Sequence, residues 1–157
     1  MYSSPGRRRG CAGSGGGGYI VRMIMGTGVD LVDVPRIAAF LERWGEVGLR
    51  RLFAPGELAY CESLSRPAPS LAARFAAKEA FFKALGTGYG RGGRWVDVEV
   101  QRDPLGKPGL RLHGRAARLA AEAGVGRVHL SLSHTDQHAI AYVVLEKVGG
   151  AGGGGGP

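Results

Sequence analysis

SLAARFAAKEAFFKALGTG, residues 70–88, is the stretch on which the reading of this 157-residue chain turns. From Leu71 to Leu85 it has neither glycine nor proline and is rich in alanine, lysine, glutamate and leucine, the residues that favour a helix most. Ser70 is placed to cap its start, and Gly86 and Gly88 to end it. On a wheel of about 100° per residue, Phe75, Phe82 and Leu85 fall within about 40° of Leu71 and form an apolar stripe. Ala72, Glu79 and Lys83 gather near 80–120°, with Ala76 beside them. A carboxylate and an ammonium one turn apart thus share a strip that is otherwise alanine.

Working outward, a strand is expected from Ile24 to Leu31, with Asp30 near its end. Asp33 then caps a helix that tolerates Pro35 in its first turn and runs through Ile37, Phe40, Leu41 and Trp44. A shorter helix opens after Pro55, with Leu58 and Leu64 on its apolar side, and 65–70 reads as a loop. Beyond the glycine-rich loop at 90–94, the spacing of Trp95, Val96, Val98 and Val100 predicts a strand, the turn 103–107 follows, and Leu110 and Leu112 return antiparallel. An alanine-rich helix at 114–123 and strands at 128–132 and 139–145 complete the pattern. Strands and helices mix without a βαβ rhythm, which predicts an α+β fold: a small antiparallel sheet packed with a long central helix.

Several polar residues stand where packing alone does not want them. Glu79 and Lys83 read either as an i,i+4 ion pair or as a metal ligand and a phosphate contact on a strip that small alanines leave open. Asp30 sits in an apolar run, so its charge is paired, hydrated or metal-bound. Lys78 falls inside the apolar stripe, where it snorkels to the edge of the core or pairs with an acid. Arg74 lies about 140° from Glu79, so one helix face cannot present both to one ligand. A second copy of the chain would resolve that conflict. His134, in SLSHT at 131–135, is either an ordinary turn histidine or, with Ser133 and Thr135, a phosphate contact. The segment GTG at 86–88 lacks the lysine and spacing of a P-loop.

Composition narrows the class. Fourteen of the 29 glycines lie in residues 1–22 and 149–157, and these two tails are expected to be disordered arms flanking one domain at 23–148. The arm has no apolar h-region after Arg7, Arg8 and Arg9, which argues against a secretory signal. Of the net charge of +8, four units belong to that arm. The remaining excess of four suits an acidic or nucleotide partner without choosing between them. No stretch is long and apolar enough for a membrane helix. Cys11 and Cys61 lack metal spacing, which fits a reducing cytoplasmic setting.

In order and spacing these elements resemble the holo-[acyl-carrier-protein] synthases of the 4′-phosphopantetheinyl transferase superfamily. The matching motifs are Gly28-Val29-Asp30, RFAAKEAFFKALGTG at 74–88, DPLGKP at 103–108 and SLSHT at 131–135. The resemblance implies transfer of 4′-phosphopantetheine from coenzyme A to a carrier-protein serine, with Mg²⁺ on Asp30 and Glu79 and catalysis by Asp30, Glu79, Lys83 and His134. It implies that Arg74, Lys83, Gly86, Pro108, His134 and Thr135 line the coenzyme A pocket, with Lys78 close by. It also implies a homotrimer with sites between subunits and an acidic acyl carrier protein helix met by Arg36 and Arg43. Arg66 is the one basic residue in the loop 65–70 that could replace family contacts there. Two alternatives are carried forward: a basic nucleic-acid-binding module, and a coenzyme A- or nucleotide-binding relative without transferase activity.

Overall fold

A computed structural model describes residues 21–149. Ten elements run in the order β1 (Val21–Asp33), α1 (Val34–Leu52), α2 (Pro55–Glu62), α3 (Pro67–Leu85), a 3₁₀ turn (Trp95–Asp97), β2 (Val98–Arg102), β3 (Pro108–Leu112), α4 (Gly114–Glu122), β4 (Val125–His134) and β5 (His138–Gly149). Strands β1, β5 and β4 form one antiparallel sheet in that order, and β2 and β3 form a hairpin. The α+β expectation holds. The arms expected at 1–22 and 149–157 lie outside the described residues, except that Val21, Arg22 and Gly149 belong to β1 and β5.

The central helix differs from the expected one in where it starts and what it buries. It begins at Pro67, so 67–70 is helical and Ser70 sits inside the helix, buried. Proline at the first helical position costs nothing there, because its missing N–H would be unpaired anyway. The helix is buried nearly all round, and Ala72, Ala76, Ala77 and Ala80 are inaccessible. The alanine strip is therefore not open to a ligand; the sheet lies against it. Gly86 ends the helix at φ 76°, and Thr87 N–H returns to the Phe82 carbonyl at 3.3 Å.

Two glycines set how closely β1 approaches this helix. A Cβ at Gly26 would stand 2.1 Å from the Ala84 carbonyl oxygen, and one at Gly28 would stand 1.9 Å from that of Ala80. Both collisions are with helical backbone, which cannot move aside. Gly28→Ala is expected to destabilise the fold by about 2 kcal/mol or more, read from the urea midpoint.

Three local expectations change. Asp33 occupies the N-cap position of α1 but makes no capping hydrogen bond; its carboxylate stands 3.4 Å from His138 Nε2. Helix α1 kinks at Gly45, and Trp44 is 53% exposed rather than packed. The chain winds into a 3₁₀ turn at Trp95–Asp97 before extending, because the buried Asp97 carboxylate accepts the Arg94 N–H at 3.0 Å. Trp95 there stacks on Tyr89 with ring centroids 4.1 Å apart and packs edge-on to Phe82.

Lys78 does not snorkel. Its ammonium is fully buried and bonds the Glu57 carboxylate at 2.7 Å, the Trp95 carbonyl at 3.1 Å and the Val98 carbonyl. Glu57 in turn accepts the N–H of Ala54 at 2.8 Å and of Val100 at 3.0 Å. One buried ion pair thereby ties α2, α3, the 3₁₀ turn and β2 together.

Candidate active site

Gly28, Asp30 and Val32 alternate toward α3 while Val29 and Leu31 face away. This register carries the Asp30 carboxylate to the middle of the helix. Lys83 Nζ donates to Asp30 Oδ1 at 2.6 Å and to the Val29 carbonyl at 3.1 Å. The Asp30 side chain is 15% exposed and that of Lys83 is 51% exposed, so the pair is open on the lysine side. Burial, reinforced by the Asp30 charge, pushes the Glu79 carboxyl above its usual range, and Lys83 offsets part of that rise. Asp30, Glu79 and Lys83 thus form one electrostatic cluster, built from the strand and helix that the sequence singled out.

The direction of the Glu79 shift gives a testable sign. A carboxylate whose folded value is raised destabilises the fold above that value, and the penalty is relieved as pH falls toward 4.5. Asp30→Asn removes one negative neighbour and frees Lys83 for Glu79. The Glu79 midpoint is then expected to fall, because the Asp30 charge no longer raises it while burial, the larger cause, remains, as read by carboxyl-carbon NMR titration. An unchanged midpoint would break the link between the two groups.

The other candidates lie elsewhere. Asp30 is on β1 and His134 on β4, the two edges of the sheet, with β5 between them; two strand spacings amount to about 10 Å. His134 is exposed at the end of β4. The Thr135 hydroxyl accepts the N–H groups of Gln137 and His138 at 3.2 and 3.1 Å and shapes the β4–β5 turn. Arg66 bonds Asp136 in that turn at 2.8 Å, which places the start of α3 beside it. Arg74 is 2% exposed, donates to Ser70 and lies over the Tyr60 ring at 4.4 Å. Pro108 opens β3 opposite Arg102. Gly86 shapes the helix end beyond Lys83. Lys78 is not brought to the cluster, since its ammonium is enclosed by Glu57 and two carbonyls.

The sequence matches the 4′-phosphopantetheinyl transferase superfamily over residues 26–143. The chain belongs to that superfamily. A holo-[acyl-carrier-protein] synthase of Koribacter versatilis is 51% identical over 124 residues, covering 79% of this chain and 99% of that protein. Among solved structures of this transferase family, the holo-[acyl-carrier-protein] synthase of Neisseria meningitidis superposes with a TM-score of 0.74 at 37% identity, over 80% of this chain and 100% of that one. The Bacillus anthracis enzyme, in complex with CoA (3′,5′-ADP), superposes with a TM-score of 0.66 at 38% identity, over 80% of this chain and 98% of its own.

Sequence reasoning missed the partners that hold Lys78 and Arg74. Glu57 gave no sign of burial beyond the need of Lys78 for an acid. Tyr60 and Arg102 gave none, because their meeting with Arg74 depends on how α2 and β2 pack on α3.

Proposed function

We propose that the chain transfers the 4′-phosphopantetheine group of coenzyme A to a serine of an apo acyl carrier protein, giving the holo carrier and 3′,5′-ADP. The observation that carries this reading is the Asp30, Glu79 and Lys83 cluster, standing on the motifs that the holo-[acyl-carrier-protein] synthases resemble. We assign the activity to residues 23–148. Among the described residues Cys61 is a buried free thiol, which suits a cytoplasmic setting, and no described helix is long and apolar enough to cross a membrane.

The donor set fits Mg²⁺, a hard cation that takes one or two carboxylates and completes its shell with phosphate oxygens and water. Asp30 and Glu79 are the residues to hold it; the Glu79 carboxyl is raised first by burial and then by the Asp30 charge, so the two carboxylates stand close enough to feel each other. When bound, the ion supplies charge neutralisation along the pyrophosphate. The serine oxygen attacks the β-phosphorus, the bond to 3′,5′-ADP breaks, and the serine proton passes to a base. Glu79 is first in line as that base because its raised carboxyl takes protons readily, followed by Asp30 and His134. Lys83 turns from Asp30 toward the departing phosphate and stabilises its charge.

Arg74 lies about 140° round α3 from Glu79 and is enclosed beside Tyr60, which supports a homotrimer with shared sites. Val29, Leu31, Ile140 and Tyr142 form an exposed apolar block on the sheet face away from α3, a surface suited to a second copy. Arg36 and Arg43 are exposed along α1, where an acidic carrier helix would lie.

The direct test is mass spectrometry of an apo carrier protein incubated with coenzyme A, Mg²⁺ and the chain. The expected result is a gain of about 340 Da, one phosphopantetheine. No gain with any acidic carrier protein, from chain that binds coenzyme A, would leave a binding protein only. Shared sites make a separate prediction: Arg74→Ala and Glu79→Ala chains, each inactive alone, regain about a quarter of full activity when refolded together. Activity that stays absent in the mixture would place both residues in one subunit's site.

A further inference from the structure

Lys83 is tied to β1 at two points. Its ammonium donates to Asp30 Oδ1 at 2.6 Å and, one residue back along the strand, to the Val29 carbonyl at 3.1 Å. Among the described residues it is the one cation in ion-pair contact with Asp30. The carboxylate is mostly enclosed, whereas half of the lysine that holds it is open to solvent and within reach of a second anion.

A divalent ion and an ammonium cannot share that carboxylate without cost. Two positive groups on one carboxylate stand a few ångströms apart and repel each other, and the ion meets an acid already partly neutralised. The protein's own oxygens do not complete a site either. Among the described residues no third carboxylate, histidine or thiol joins Asp30 and Glu79 in a group that could hold a metal. A hard cation with two carboxylates fills its remaining positions with phosphate oxygens and water. Those same phosphate oxygens are acceptors for Lys83. One anionic group can therefore draw the ammonium off Asp30 and supply what the cation lacks.

We propose that Lys83 is a latch on the metal site: it holds Asp30 until a pyrophosphate takes its ammonium, so that the divalent ion and the donor nucleotide bind together and the ion alone binds poorly. This rests on the transferase reading above and on its assignment of the cation to Asp30 and Glu79. The coupling is reciprocal, so the ion tightens the nucleotide by the factor by which the nucleotide tightens the ion.

The test uses Mn²⁺ as the probe, with free ion counted by electron paramagnetic resonance and no carrier protein present, so that nothing is transferred. Mn²⁺ alone is expected to bind the wild-type chain weakly, and coenzyme A to tighten it about 10–100-fold beyond what coenzyme A binds by itself. In Lys83→Met, Mn²⁺ alone should bind about 10-fold more tightly, and the added effect of coenzyme A should fall to about threefold or less. Lys83→Arg keeps a cation beside Asp30 and should keep Mn²⁺ weak. Lys83 is half-exposed, so these variants should fold, which the thermal midpoint checks. The Val29 carbonyl carbon reports the latch itself: its NMR shift should move when coenzyme A is added without metal, toward the value seen in Lys83→Met. Equal Mn²⁺ affinity in the wild-type chain and Lys83→Met, or a Val29 carbonyl unmoved by coenzyme A, would overturn the latch even if transfer proceeds. Mn²⁺ binding that survives Glu79→Gln unchanged would overturn the metal assignment and the latch with it. Coupled binding without transfer to any carrier protein would remove the function and leave the latch standing.

Discussion

Glu79→Ala is expected to lower phosphopantetheine transfer by about 1,000-fold, the scale of losing a group that stabilises charge developing at a reaction centre. Two effects act together. The acidic pair is reduced to Asp30 alone, a poor site for a hard cation, and the first-choice base is gone. Stability should change little, because Glu79 is half-buried and its carboxyl is already disfavoured by burial and by Asp30. The thermal midpoint therefore stays at the parent value or rises slightly. Glu79→Gln should match the alanine variant in rate, since it keeps the volume and loses the charge. A Glu79→Ala chain with full activity would remove the metal assignment, and one that fails to fold would show that Glu79 has a structural role the fold does not display.

Breaking the Lys78–Glu57 pair should have the largest effect on stability. Lys78→Met leaves the Glu57 carboxylate enclosed with no cation beside it, and such losses run to about 3–5 kcal/mol. That is a large part of the roughly 5–15 kcal/mol holding a domain of this size. Exchanging both partners, as Glu57→Gln with Lys78→Met, removes the stranded charge and should recover part of the loss. Urea unfolding of the single and double variants measures the coupling. A single-variant loss below about 1 kcal/mol would mean that the pair is neutral in the fold. Activity per folded molecule separates this structural role from a direct one: if Lys78 touched coenzyme A, folded Lys78→Met would still be slow.

The parts of the fold readable in the sequence are those fixed by local chemistry. Gly86 and Gly88 mark the end of α3 because left-handed backbone follows the last turn. Asp103 announces its turn because its carboxylate accepts the N–H groups of Leu105 and Lys107, each at 2.9 Å. The start of α3 was hidden because Pro67 and Pro69 look like a loop, although a helix accepts both in its first turn. The 3₁₀ turn at Val96 is not legible in the sequence because alternation alone does not reveal the Asp97 carboxylate that winds the chain. At the site, Asp30 and Glu79 each looked unusual alone. Only the strand register, which points Asp30 at α3, brings them together. Arg74 gave its warning through the wheel angle, but its companions Tyr60 and Arg102 come from elements that no periodicity connects.

The two tryptophans of the chain stand in opposite surroundings, and that contrast has a practical use. Trp95 lies flat against Tyr89 and is partly enclosed, whereas Trp44 projects from the bend of α1 beside Arg43. Trp44 should therefore emit at longer wavelength and yield to acrylamide quenching, while Trp95 resists it. A carrier protein settling on the basic side of α1 would shield one lamp and leave the other unchanged. Docking can thus be followed by fluorescence, without labels and without waiting for catalysis.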